Sequence, residues 1–181
     1  MHIVDWVEPD KNNNYNFLLD TCALIYLSNN PYVVKKMKEK VNDNYRYFIC
    51  TVQNGEINGV PFRNLTKYFS SNWARHPDIE SITEIAKILD IKRVSCMTIP
   101  FHDFSILDGS FRELIDHSSE PKSTMFYEIW SSWKYTMDAI TAEAAIYNHC
   151  HLISADDDLI TTVNKYFNGQ AMKYSDFINM F

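Results

Sequence analysis

The residues of this chain whose types and positions could do chemistry are acids. Asp156, Asp157 and Asp158 stand in a row in "HLISADDDLITT", directly behind four residues that read as a buried strand. Asp20 closes an earlier apolar run, "YNFLLD", and Glu56 follows "YRYFICT" by about one helical turn. Asp138 lies thirteen residues before His151, in a long helical pattern. Carboxylates cannot gather unpaired without raising one another's pKa or acquiring a counter-charge. The nearest bases in sequence, Lys134 and Lys165, are not obviously placed to supply one. Oxygen donors without His or Cys suit hard divalent cations, Mg²⁺ or Mn²⁺. One such ion, or two ~3.5–4 Å apart, can activate water and hold a phosphoryl group for in-line displacement. Each acid also has a plainer assignment. Asp20 could cap a helix starting at Thr21, Asp157 or Asp158 a helix ahead of Tyr166, and Asp138 and Glu56 could be solvated.

The elements that must position these acids follow from hydrophobic patterning. Strands are expected at Tyr15–Asp20, Tyr45–Thr51, Lys92–Ile99 and "HLIS", with "AMKY" as a last edge strand. Helices are expected over "TCALIYLSNN", over "PYVVKKMKEKV", between Asp78 and Asp90, from Met125 to His149, and from about Leu159 to Tyr166. Strands alternating with helices argue for an α/β domain with a mostly parallel sheet. In such sheets ligands bind outside the carboxyl ends of the strands, where Asp20 and Asp156 end. The helix carrying Asp138 must run antiparallel to the strand it feeds. A ten-residue helix covers roughly 15 Å, about the length of a five-residue strand, so Asp138 returns to the same rim.

Bulk properties bound the rest. The 181 residues suffice for one domain, and 46% hydrophobic with 22% charged residues is ordinary globular usage. Four glycines, with neither GxGxxG nor a P-loop pattern, exclude nucleotide binding through those motifs. A net charge of −6 disfavours nonspecific binding to nucleic acid or anionic membrane. It does not exclude a nucleic-acid enzyme whose acids hold metal ions. Cys22, Cys50, Cys96 and Cys150 form no CxxC pair, and the ligands of "HCH" at 149–151 are too close to wrap one zinc. Buried thiols in a reducing compartment are expected. No apolar run approaches the ~20 residues of a membrane helix, and "MHIVDWVEPD" carries no basic leader. A cytoplasmic protein is expected.

Three blocks together resemble the PIN domain, the nuclease fold of VapC-type toxins. "NFLLDTCALIYL" is similar to the family's opening strand with its first aspartate, here Asp20, followed by the small polar Thr21. "FICTVQNGEINGV" resembles the second strand and the short helix bearing the family glutamate, here Glu56, with Gly59 three residues on. "DAITAEAAIYNHCHLISADDDL" resembles the final block, with Asp138 as third acid, Ser154 in the hydroxyl position and Asp156 as fourth acid. Asp158 falls on the second aspartate of the closing turn, and Leu159 stands where an aromatic is common. Residues 61–123 match loosely, so an insertion or elongated helices are expected there.

The resemblance implies a single domain over residues 1–181, a three-layer α/β/α sandwich. It also implies a metal-dependent ribonuclease in which Asp20, Glu56, Asp138 and Asp156 bind Mg²⁺ or Mn²⁺ and an activated water attacks the scissile phosphate. Thr21 and Ser154 would orient carboxylates or water, Asp158 would assist from behind the ligands, and Asp157 would be a solvated bystander. The partners implied are RNA, an antitoxin protein whose segment covers the site, and a second copy in a homodimer; no membrane is involved. RNA could also be held by local basic residues such as those of the Lys35–Lys40 helix.

Two rivals belong to other classes. A PIN-like fold without catalysis would serve as a binding module, although all four acid positions are filled. A phosphatase would want an acid two residues after Asp20, where Cys22 stands, and a receiver would want an acidic pair and a late Lys. His102, Asp103 and Asp108 read as a loop with a helix start. Trp73, Trp130 and Trp133 could stack on bases, yet Trp130 and Trp133 fit a core stripe better.

Overall fold

Asn16–Leu19 is buried along its whole length, as a strand is when both faces of its sheet are covered. A computed structural model describes residues 7–50, 53, 57, 78–94, 125, 128–129 and 136–181. Its elements, in chain order, are β1 (Asn16–Leu19), α1 (Thr21–Ser28), α2 (Pro31–Lys40), β2 (Arg46–Cys50), α3 (Ile79–Ile88), β3 (Lys92–Val94), α4 (Thr136–Tyr147), β4 (His151–Ser154), α5 (Asp157–Tyr166), β5 (Ala171–Lys173) and α6 (Tyr174–Ile178). The strands form one sheet in the order β3-β2-β1-β4-β5, and every pairing is parallel. The expected α/β class is therefore the observed one.

Alternation along the strands divides the core into two layers. Phe17, Leu19, Tyr47, Ile49 and Ile153 pack with α1, α2, α3 and α6. Leu18, Phe48, Val94 and Leu152 face α4 and α5 on the other side, which completes the sandwich. Alanines 139, 142, 144 and 145 of α4 are fully buried, and side chains that small let a helix lie close to the sheet.

Local chemistry sets the boundaries. Asn30 caps α2 by accepting the Val33 N–H on its side-chain amide oxygen, with Pro31 at the first helical position. His149 takes a left-handed backbone (φ 53°) in the turn between α4 and β4. Its neighbours in "HCH" are spent structurally: Cys150 is buried, and the ring of His151 lies 3.1 Å from the Gly169 carbonyl. Burial also pushes the Cys150 thiol up to about 12.

One expectation is corrected, and one element is new. The last helix begins at Asp157 rather than near Leu159, because Asp156, and not Asp157 or Asp158, caps it. The five-residue α6 was not anticipated, yet its Phe177 is fully buried against Phe17, ring centroids 5.1 Å apart. The strand expected at Lys92–Ile99 is described to Val94. Glu56, Gly59, Trp73, Cys96, the His102–Asp108 stretch, Trp130, Trp133, Lys134 and most of 61–123 lie outside the described residues.

Candidate functional site

Strand order places the site. β1 and β4 are neighbours, but the helices that follow them leave to opposite faces, α1 over Phe17 and Leu19 and α5 over Leu18 and Leu152. At such a switch point the two loops diverge and a crevice opens beyond the carboxyl ends of the strands. Asp20 closes β1 there, and Asp156 follows β4.

Asp20 is tied down from three sides. Its N–H donates to the Ile153 carbonyl at 2.9 Å, continuing the ladder between β1 and β4. Oδ1 accepts from the Thr21 N–H at 2.7 Å, and Oδ2 accepts from the Ser154 hydroxyl at 2.8 Å and the Cys22 thiol at 3.0 Å. Asp20 as a residue is only 7% exposed. Among the described residues no lysine, arginine or histidine pairs with it; the positive end of the α1 dipole faces its charge.

Ser154 is the hinge of the cluster. Fully buried, it donates to Asp20 and accepts from the Asp156 N–H at 3.1 Å. Asp156 Oδ1 takes the N–H groups of Asp158 and Leu159 at 2.9 and 3.1 Å. Its Oδ2 receives no hydrogen bond among the described residues. Asp158 thus meets Asp156 through the backbone, and its own carboxylate is exposed. Asp157, expected to be a bystander, is also exposed but pairs with Lys173 at 2.8 Å. Lys173 lies beside Ser154 in the β4–β5 register, so the triple-aspartate run does have a counter-charge. Lys165 is engaged elsewhere, with Glu128.

Asp138 occupies the first turn of α4 and is half-buried. The helix spans about 18 Å and turns back through residues 148–150 into β4, a strand of about 13 Å, so that first turn stands at the carboxyl edge of the sheet. Thr141, one turn on, has its hydroxyl 3.7 Å from the Cys50 thiol at the end of β2. Among the described residues no three His, Cys, Asp or Glu side chains come together as metal donors. Glu56, the remaining acid of the expected set, lies outside them. Glu143, also on α4, is an acid only 3% exposed that sequence reasoning did not single out.

Two further residues were missed as parts of this edge. Gln53 Nε2 donates to the Leu19 carbonyl at 2.7 Å, and its Oε1 accepts from the Cys50 N–H at 2.8 Å. It clasps the ends of β1 and β2 next to Asp20, and no sequence pattern announces a glutamine with that task. Cys22 accepts from the Ala155 N–H at 3.2 Å while donating to Asp20. Burial, and then the Asp20 charge, pushes its thiol from 9.0 up to about 12.

Two expected results arise here. Ser154→Ala strips Asp20 of its donor across β1 and β4 and strands the Asp156 N–H, and should cost about 1–3 kcal/mol in urea unfolding. A loss below about 0.5 kcal/mol would show the hydroxyl to be incidental. Second, a thiol raised in the folded state holds its proton where the unfolded chain has lost it. Stability is then full below pH 9 and falls as pH rises towards 12. Urea midpoints should drop from pH 8 to 10, less steeply in Cys150→Ala, and native Cys22 should resist iodoacetamide at pH 8 in peptide maps.

No protein-family model matches the chain, and neither a curated protein nor a solved structure does.

Proposed function

We propose that the chain is a metal-dependent ribonuclease hydrolysing RNA phosphodiester bonds at the β1–β4 crevice. The observation that carries this reading is the Asp20 carboxylate, buried at a switch point, held by Ser154 and without a cation partner among the described residues. A buried anion is costly unless compensated, and a divalent cation is the compensation that oxygen donors favour. The donor set fits in kind: Asp20, the open Oδ2 of Asp156, and Asp138 on the same edge, with Glu56 as the fourth acid of the resemblance. When bound, the ion supplies positive charge for the phosphoryl oxygens and lowers the pKa of an attacking water.

The chain's own residues do the positioning. Ser154 and the Thr21 N–H fix both oxygens of Asp20, and the same hydroxyl anchors the backbone of Asp156. Cys22, held protonated, donates to Asp20 and adds no charge. The N-termini of α1 and α5 open on the crevice with their positive ends, an arrangement that favours a phosphate. Toxin–antitoxin pairing and a homodimer follow from the resemblance alone. Among the described residues no helix is long and apolar enough to cross a membrane.

A PIN-like binding module without catalysis is the second reading, favoured by the lack of a three-donor cluster among the described residues. Incubating wild type with mixed single-stranded and structured RNA in Mg²⁺, Mn²⁺ or EDTA separates the two. Cutting that EDTA abolishes is the expected result. Intact RNA in all conditions, with no heat of Mn²⁺ binding, would sink the nuclease reading.

A further inference from the structure

A net charge of −6 gives an RNA-cleaving protein no long-range attraction to phosphate, so any phosphate neutralisation must come from local lysines or arginines. Stacking of bases on aromatic rings is independent of charge, and the surface beside the site carries such rings. Tyr26 and Tyr174 lie with ring centroids 5.4 Å apart and planes inclined by 33°. Tyr26 is 53% exposed. It stands four residues after Cys22 on α1, hence on the same helix side one turn along, and the Cys22 thiol touches both Asp20 and Ser154. Tyr174 directly follows Lys173, the register partner of Ser154. Two strand spacings, about 10 Å, separate β5 from β1, so the pair lies within reach of a nucleotide next to one bound at Asp20. The Tyr174 hydroxyl is shielded from water and has no hydrogen-bond partner among the described residues. Burial raises its pKa, so the ring stays neutral where it packs behind Tyr26.

We propose that Tyr26 and Tyr174 form a stacking platform for a base of single-stranded RNA flanking the scissile phosphate; this rests on the nuclease reading of the Asp20 site. Tyr26 presents the exposed ring, and Tyr174 backs it. The pair holds the strand without touching the reacting phosphate, so it governs binding rather than the chemical step.

The test uses the full chain and a short fluorescent single-stranded oligoribonucleotide, with Kd measured in EDTA by anisotropy and KM and kcat measured with Mn²⁺. Tyr26→Ala should raise Kd and KM about tenfold with kcat within twofold, and Tyr26→Phe should restore both. A wholly abasic strand of the same length should bind wild type as weakly as the intact strand binds Tyr26→Ala, with no further loss when the two changes are combined. Cleavage by wild type with Kd and KM unmoved in Tyr26→Ala overturns the platform and leaves the nuclease standing. Tyr26-dependent binding without cleavage keeps the platform and overturns the nuclease. Neither binding nor cleavage overturns both.

Discussion

Asp20→Asn should lose metal-dependent RNA cleavage by about 10²–10³-fold or more while melting within about 5 °C of wild type in EDTA. The two halves of this expectation come from different roles of one side chain. As the cap of α1, Asp20 accepts the Thr21 N–H, and asparagine caps a helix as well as aspartate does. As an anion, Asp20 is buried beside a Ser hydroxyl and a thiol with no cation partner among the described residues. Neutralising such a group removes a desolvation cost, which offsets the loss of an acceptor for the Ser154 hydroxyl or the Cys22 thiol. Adding Mn²⁺ should then separate the two proteins. Wild type gains about 2.7 kcal/mol at a hundredfold excess over its Kd, whereas the Asn variant gains nothing. Calorimetric titration, melting with and without Mn²⁺, and cleavage of the same RNA check it. Wild-type cutting by Asp20→Asn would remove Asp20 from the chemistry.

The largest stability effect is expected at Phe17. This side chain is 1% exposed, and its ring lies 5.6 Å from Tyr45, 6.2 Å from Tyr47, 6.0 Å from His151 and 5.1 Å from Phe177. Those partners come from both neighbouring strands, from Tyr45 just before β2 and from α6, so no one element can collapse into the space. Phe17→Ala should cost about 3–5 kcal/mol, seen as a fall of the urea midpoint at constant slope and a loss of roughly 6–20 °C in melting temperature. Tyr32→Ala, at a side chain 67% exposed, should stay within about 0.5 kcal/mol. A Phe17 variant as mild as the Tyr32 one would mean that the ring cluster contributes little.

Much of this architecture was legible because parallel strands are buried on both faces. "NFLL", "RYFIC" and "HLIS" announce themselves as short apolar runs, and helical spacing between Asp78 and Asp90 marks α3. Strand order is what such runs leave open. Placing β4 beside β1 brings Asp156 to Asp20, and placing β5 beside β4 brings Lys173 to Asp157. Both pairings join residues whose proximity no local pattern states. The start of α5 was misread for a local reason: any of three successive aspartates can cap a helix. The choice falls on Asp156 because Ser154, two residues earlier, already holds its N–H. The clasp by Gln53 escaped notice because it depends on the register of β1 against β2. The five residues of α6 are too few for a period to show.

The hydrogen bond between Ser154 and Asp20 closes a separation of 134 residues. A ribosome adding about 5–20 residues per second needs on the order of ten seconds to cover that interval. Meanwhile β1 can pair with β2, but its other edge has no strand to meet. The nascent chain therefore carries a bare apolar edge, the feature most prone to wrong pairing, at the place where the acid pair will form. Long-range parallel pairing is also slow to close. Asp20 and Asp156 remain apart until β4 has emerged and docked, and a chain cut short before His151 keeps the first acid without the second.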